Sequence, residues 1–413
     1  MNILDRLEEL GKDVEARWGK VSFAKETFPG IAADALKESA IHNLFGLEEF
    51  VRALWSRQGL PVQFALENTF GQPPVTCYSN QERGFLVDLY FWVTPDISIH
   101  SHGFRGAFTV LHGKSLHCQY AFETREPLGE DALVGDLRLQ KSSFLKPGDI
   151  QEILPGEAFI HQVWHIGFPT VSLAIRTFNE GLLQYSYCKP HLAFVFNKES
   201  VPLQKKKRDT FFMLHQIQHP LEEELLEDLL LTTGFSLGLF YFLAHRTEDE
   251  ALERTRRLLE KLPSFRRWVP EILESLKQGK EERADWSRLR NEDERFLLAV
   301  LSSCSKRSDI LNLVSAYASE GAPEANLLKW LKGLLRHKKV DFRLNKTALD
   351  VLGLLLCGNG EPQICEALCK KYAVDNSEAF QNDIHTFLEQ LHAVELLKPL
   401  LSDPAPSASA LVV

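Results

Sequence analysis

The spacing of apolar residues changes period twice along this chain, and that double switch narrows the folds open to it more than any other feature. From Leu4 to about Arg57 the spacing is helical, with Leu44, Leu47, Phe50, Val51, Leu54 and Trp55 on one repeating face. Between about Phe64 and Phe196 the texture becomes β-rich, in the short runs FLVDLYFWV, ISIHSH, GAFTVLHG, SLHCQYAFE, DIQEILP, AFIHQVWHI, TVSLAIRTF and HLAFVF. Gly, Pro, Asn and Asp separate these runs, and short strands with turn signals between them predict an antiparallel barrel or sandwich. After Lys198 to Arg208 the helical period returns in LEEELLEDLLLTTGFSLGLFYFLAH, EALERTRRLLEKL, WVPEILESLK and DERFLLAVLSSC, punctuated by Pro220 and Pro263.

A chain of 413 residues exceeds the size at which one core stops growing, so several domains are expected. The period changes place them at 1–62 (helical segment), 63–200 (β-barrel), 201–336 (helical domain), 337–402 (three-helix module) and 403–413 (a frayed, Pro- and Ser-rich tail). The fold class is α+β and multidomain, a barrel preceded by helices and followed by an all-α region. No tandem repeat of fixed period is present.

Composition excludes several function classes. No apolar run approaches the roughly 18 residues that a membrane span needs. The start, MNILDRLEELGKDVEARW, reads as a charged amphipathic helix rather than a signal peptide. Seven cysteines, an odd number without a C-x-x-C pair, fit a reducing cytoplasm. Cys365 and Cys369, one turn apart, read as small apolar residues on a packed helix face. A net charge of -9 argues against general nucleic-acid binding, which needs concentrated positive charge. The one basic run, Lys205 to Arg208, reads as a solvated linker.

Chemistry concentrates in the histidines of the β-rich block. Successive side chains of a strand point to opposite faces, so His100 and His102 in SIHSH project to the same side and can share an ion. A third ligand must come from a distant strand, and AFIHQVWHI supplies His161, with His165 on the same face by parity. The segment KPGDIQEILPGEAF ahead of it offers Gly148 and Pro155-Gly156 as turns. His112 and His117 fall in or at the end of the next strand, as supporting or surface groups, whereas Phe108 and Trp164 read as core.

These residues resemble the paired motifs of the cupin superfamily. His100-Ser101-His102 matches its His-x-His and Gly113 its closing glycine; Pro155-Gly156 and His161 match the second motif, with His165 in the place of its Asn. The Glu of the first motif is missing, because residues 103 to 109 read Gly-Phe-Arg-Gly-Ala-Phe-Thr. The resemblance therefore implies a cupin-type barrel with a neutral three-imidazole centre, which leaves a divalent ion its full charge and open positions. That donor set suits iron(II), with Zn, Ni or Mn as alternatives.

Within the superfamily, ERGFLVDLYFWVTPDISIHSH and IHQVWHIGFPTVSLAIR are similar to the strands that carry the ligands of the cysteine dioxygenase family. The arginine that holds the cysteine carboxylate in that family has no counterpart near Cys77 to Ser79. Its active-site tyrosine aligns with Arg176, and the cysteine that crosslinks to it in some members falls near Gly106 or Ala107. Cysteine is thus not the expected substrate. Arg176 and Arg105 are the candidate anchors for a carboxylate or phosphate, through the planar guanidinium fork.

In the C-terminal segment, Leu344-Asn345-x-Thr347-Ala348, Val351-Leu352, Tyr372-Ala373-Val374, Asp383-Ile384 and Phe387-Leu388 resemble PqqD-like winged-helix modules, which recognise peptides in ribosomal-peptide biosynthesis. The reading places three helices there, a turn at Gly358-Asn359-Gly360 and a cap at Asp375 or Asn376. The β-hairpin that usually precedes such modules is missing, since LLKWLKGLLRHKKVDFRL looks helical with at most one short strand.

The resulting expectation is a non-haem iron(II) dioxygenase: His100, His102 and His161 hold the metal, and Arg176, Arg105 and His165 serve the substrate. Its substrates would be O₂ and a thiol- or carboxylate-bearing small molecule, or a peptide residue brought by the C-terminal module. A homodimer stays open. The competing expectation is a non-catalytic metal- or small-molecule-binding sensor or scaffold with a helical partner-binding domain.

Overall fold

The computed structural model describes residues 2–64, 71–93, 98–129, 131–195, 202–222, 224–225, 265–318, 320–337 and 345–401, with scattered positions between 253 and 263. Two compact units emerge, Met1–Arg283 and Ala284–Val413.

The first unit opens with helices α1 (Ile3–Gly19), α2 (Phe28–Ser39) and α3 (Leu47–Ser56). Asn2 caps α1 through a reciprocal pair of hydrogen bonds with Asp5. Eleven strands follow: β1 (Pro74–Asn80), β2 (Phe85–Trp92), β3 (Ile99–His102), β4 (Gly106–His112), β5 (Ser115–Leu128), β6 (Ala132–Leu145), β7 (Ile150–Ile153), β8 (Gly156–His165), β9 (Thr170–Thr177), β10 (Tyr185–Cys188) and β11 (Leu192–Val195). They form a five-stranded sheet in the order β1-β2-β9-β4-β7 and a closed barrel of β10-β11-β6-β5-β8-β3. All strand pairs are antiparallel. The expected fold class is therefore observed.

The five-stranded sheet is buried on both faces. Phe85, Val87, Leu89 and Phe91 of β2 and Val171, Leu173 and Ile175 of β9 join Leu7, Val14 and Phe28 of the N-terminal helices in one core. The alternate residues Asp88, Tyr90, Trp92, Ser172, Ala174 and Arg176 line a cavity on the opposite face. This is the period-2 rule acting on a two-sided sheet, and it explains why FLVDLYFWV reads as nearly continuous apolar sequence.

Three strands escaped the sequence reading: β1, β6 and β10. Strand β6 pairs with β5 over its whole length, but much of it is exposed or half-buried, so its apolar alternation is faint. The basic run is no linker: Lys205 to Arg208 lie within helix α4 (Pro202–Gln216). Lys and Arg are good helix formers, and Phe211 and Leu214 further along the helix bury its apolar side. Residue 223 and most of 226–264 lie outside the described residues. Helix α5 (Val269–Arg288) packs Val269, Ile272 and Leu276 on Leu128, Val134 and Leu192 of the barrel.

The second unit is helical: α6 (Glu292–Ser303), α7 (Arg307–Tyr317), α8 (Pro323–His337), α9 (Lys346–Leu356), α10 (Glu361–Tyr372) and α11 (Glu378–His392). Phe296 stacks on Tyr317 at 4.0 Å, with Trp330 edge-on to both. Asn345 caps α9 by accepting from the Ala348 amide. The cap of α11 is Ser377, not Asp375 or Asn376; its hydroxyl accepts from the Phe380 amide, which needs the side chain immediately before the first helical residue. Cys365 is buried on α10, and all seven cysteines are free thiols. Helix α8 confirms the helical reading of LLKWLKGLLRH, and residues 338–344 lie outside the described residues. Among the described residues no helix is long and apolar enough to cross a membrane.

Two glycines are dictated by the sheet geometry. Gly113, at φ +78°, turns the chain from β4 into β5. Gly106 sits where a Cβ would meet the Ile175 carbonyl oxygen at 2.0 Å. Gly106→Ala should thus push β4 from β9 and destabilise the protein by about 1–3 kcal/mol, read as a lower denaturant midpoint at unchanged slope. A loss under about 0.5 kcal/mol would show that the two strands can separate freely.

Candidate metal centre and its cavity

The three-histidine cluster is assembled by strand pairing. His100 on β3 lies directly opposite His161 on β8, and the register then shifts before His102. His102, two residues further along β3, projects to the same side as His100. The ring centroids form a nearly even triangle: 4.7 Å for His100–His102, 4.7 Å for His100–His161 and 4.9 Å for His102–His161. One nitrogen from each ring lies within 4.8 Å of the others, a group that could hold a metal ion.

Nitrogen geometry fits such an ion. His102 Nε2 and His161 Nε2 stand 2.8 Å apart. Two nitrogens bound at right angles at roughly 2.1 Å from an ion would lie about 3 Å apart. His100 donates from Nδ1 to the Ser98 carbonyl at 3.1 Å, which fixes its proton on that nitrogen. Burial, then the neighbouring imidazoles, push the pKa values of His102 and His161 well below the ordinary 6.5, so both are neutral donors at pH 7.

A fourth histidine supports the third ligand. His117 is 1% exposed, and its Nε2 lies 3.1 Å from His161 Nδ1. With His161 Nε2 turned to the cluster, this contact fixes the ring by its far nitrogen, the arrangement that metal-ligating imidazoles usually show. His112, by contrast, is exposed. His165 stands apart from the cluster, stacked on Trp92 at 4.3 Å with the planes 9° apart and its Nδ1 3.3 Å from the Ser115 hydroxyl. Trp92 is itself tied down, donating from Nε1 to the Ser172 hydroxyl at 2.8 Å.

The cluster opens into a cavity of about 430 Å³ between the five-stranded sheet and the barrel, the size of a small-molecule site. Arg176 lines it, and its Nη2 donates to Asp88 Oδ2 at 3.0 Å. Asp88 also accepts from Thr76 Oγ1 at 2.7 Å and from Tyr90 OH at 2.8 Å. The Arg176 guanidinium lies 4.7 Å above the Phe104 ring. Arg105 is not among the cavity-lining residues: its fork is occupied by Glu180, through Nε at 2.9 Å and Nη2 at 3.1 Å. The side-on edge of its guanidinium is therefore taken by a carboxylate. Phe108 serves two roles, in the core beside Val110 and as a wall of the cavity, and Trp164 is fully buried.

Sequence reasoning passed over Asp88, Tyr90, Trp92 and Phe104. One signal was available, a lone carboxylate in the middle of FLVDLYFWV, since a buried charge demands a partner.

A family model described as coenzyme PQQ synthesis protein D (PqqD) matches residues 334–397, which run from the end of α8 through α9, α10 and α11. No curated protein matches the chain.

Burial lowers the pKa of both His117 and His165 to about 3. Below pH 6.5 the unfolded chain therefore binds protons that the folded chain refuses. In metal-free protein, stability should fall from about pH 6.5 towards 3, by up to ~1.4 kcal/mol per pH unit for each histidine. Denaturant midpoints at pH 7 and pH 5 test this, with His165→Phe expected to flatten the slope. A midpoint independent of pH would show that these rings are not buried as neutral groups.

Proposed function

We propose that the barrel is a three-histidine cupin-type metal centre holding iron(II), and that the protein is a non-haem dioxygenase. The observation carrying this reading is the convergence of His100, His102 and His161 with no carboxylate among them. Among the described residues that line the cavity the one acid, Asp88, is engaged by Thr76, Tyr90 and Arg176. An all-imidazole donor set leaves several coordination positions open, as a site serving both an organic substrate and O₂ requires. Iron(II), when bound, supplies the redox chemistry that lets O₂ react with an organic anion.

The chain's own residues supply placement and exclusion of water. His117 orients His161, and the Trp92–His165 stack with Phe108 and Phe104 gives the substrate a largely apolar berth. His165, neutral and held by Ser115, lines the cavity as an uncharged hydrogen-bonding group. The substrate class is a thiol- or carboxylate-bearing small molecule or a peptide residue. The PqqD match supports the peptide version, with residues 334–397 as the docking module for a peptide partner.

Metal analysis and oxygen uptake test this reading. Wild-type protein reconstituted with iron(II) should carry about one ion per chain and consume O₂ with thiol substrates. His100→Ala and His161→Ala should each lose the ion and at least about 100-fold in rate. Unchanged metal content in both variants would sink the proposal, and an ion bound without any O₂ consumption would leave a metal-dependent receptor in its place.

A further inference from the structure

Charge in the cavity has an unusual distribution. Among the described residues that line it, Arg176 and Asp88 are the only Lys, Arg, Asp or Glu, and they neutralise each other at 3.0 Å. Phe104 stands between the guanidinium, 4.7 Å from its ring, and His102, whose ring centroid is 4.5 Å away. The cation is therefore paired on one side and capped by an aromatic face on the other. The three imidazoles, with no formal negative charge, would leave a divalent ion uncompensated. The demand for an anion is thus at the ion and nowhere else in the cavity, whose other walls include Phe108, Val110, Ile153, Val163 and Ala174.

Resting on the metal-centre reading above, we propose that the cavity selects ligands whose negative charge sits on the metal-binding atom itself and whose body is uncharged and apolar, an apolar thiolate being the simplest. A distal carboxylate is selected against. It would be buried opposite a guanidinium already neutralised by Asp88, and a buried charge without a free counter-charge is disfavoured strongly. Arg176 then acts with Asp88 as a structural pair that keeps its stretch of the cavity wall neutral, rather than as a substrate anchor.

Cobalt(II)-loaded protein, whose visible absorption reports ligands entering the coordination sphere, tests the proposal without turnover. Butanethiol and mercaptopropionate are near-isosteric and differ in the distal carboxylate; phenylmethanethiol adds an aromatic body. Butanethiol and phenylmethanethiol should bind at least about tenfold more tightly than mercaptopropionate. Asp88→Asn releases Arg176 from its partner, and the preference should collapse to within about threefold or reverse. Should that variant fail to fold, the double variant Asp88→Asn with Arg176→Gln removes both charges, and mercaptopropionate should remain at least about tenfold weaker. Mercaptopropionate binding wild-type protein as tightly as butanethiol would overturn the inference, as would a preference unmoved by Asp88→Asn. Cobalt that fails to load, or loads equally in His161→Ala, would overturn the metal-centre reading itself, so the two failures are distinguishable.

Discussion

Everything that gives this chain a site depends on a sheet used on both faces. In β2 and β9 one set of alternate residues seals against the N-terminal helices and the other set faces the barrel across the cavity. Because the strand period is two, a one-residue slip would exchange the sets, putting Asp88 and Arg176 among the leucines and phenylalanines of the helical core. The cost of burying those charges without partners, added to the lost apolar packing, holds the register. The N-terminal helices thus contribute to the site without touching it, by making one face of the sheet so apolar that the other must carry the polar groups.

The barrel supplies the complementary half. His100 and His102 project to one side of β3, and pairing with β8 sets His161 opposite His100. His117 arrives from β5, diagonal to His161, so three adjacent strands contribute to one imidazole cluster. Burial makes the His102 and His161 rings neutral and ready as donors; the same burial would penalise a protonated cluster at low pH. Stability of the empty barrel and readiness to bind an ion therefore come from one physical cause.

The cavity wall carries two polar groups of different character, a neutral imidazole triad that could take a positive charge and a guanidinium–carboxylate pair that is internally neutralised. An arginine lining such a cavity suggests a carboxylate anchor, but the Nη2 of Arg176 is already held by Asp88. The Asp88 oxygens take Thr76, Tyr90 and Arg176, a well-satisfied buried network whose value lies in shape and neutrality more than in attraction for a ligand.

What the sequence determined by itself is whatever follows from local period. Helix, then strands, then helix was legible in the switch of apolar spacing, and strand parity put His100 with His102 and His161 with His165. Strand β6 was lost because much of its length is half-exposed or exposed and lacks a clean alternation, and the α11 cap was missed because Asp375, Asn376 and Ser377 are equally good cap residues in sequence. Only tertiary structure decided which side chains meet across chain separation: Asp88 with Arg176, Arg105 with Glu180, His117 with His161. Parity states which face a residue is on, but the pairing of strands from opposite ends of the domain settles whether the charge it carries is free or already spent.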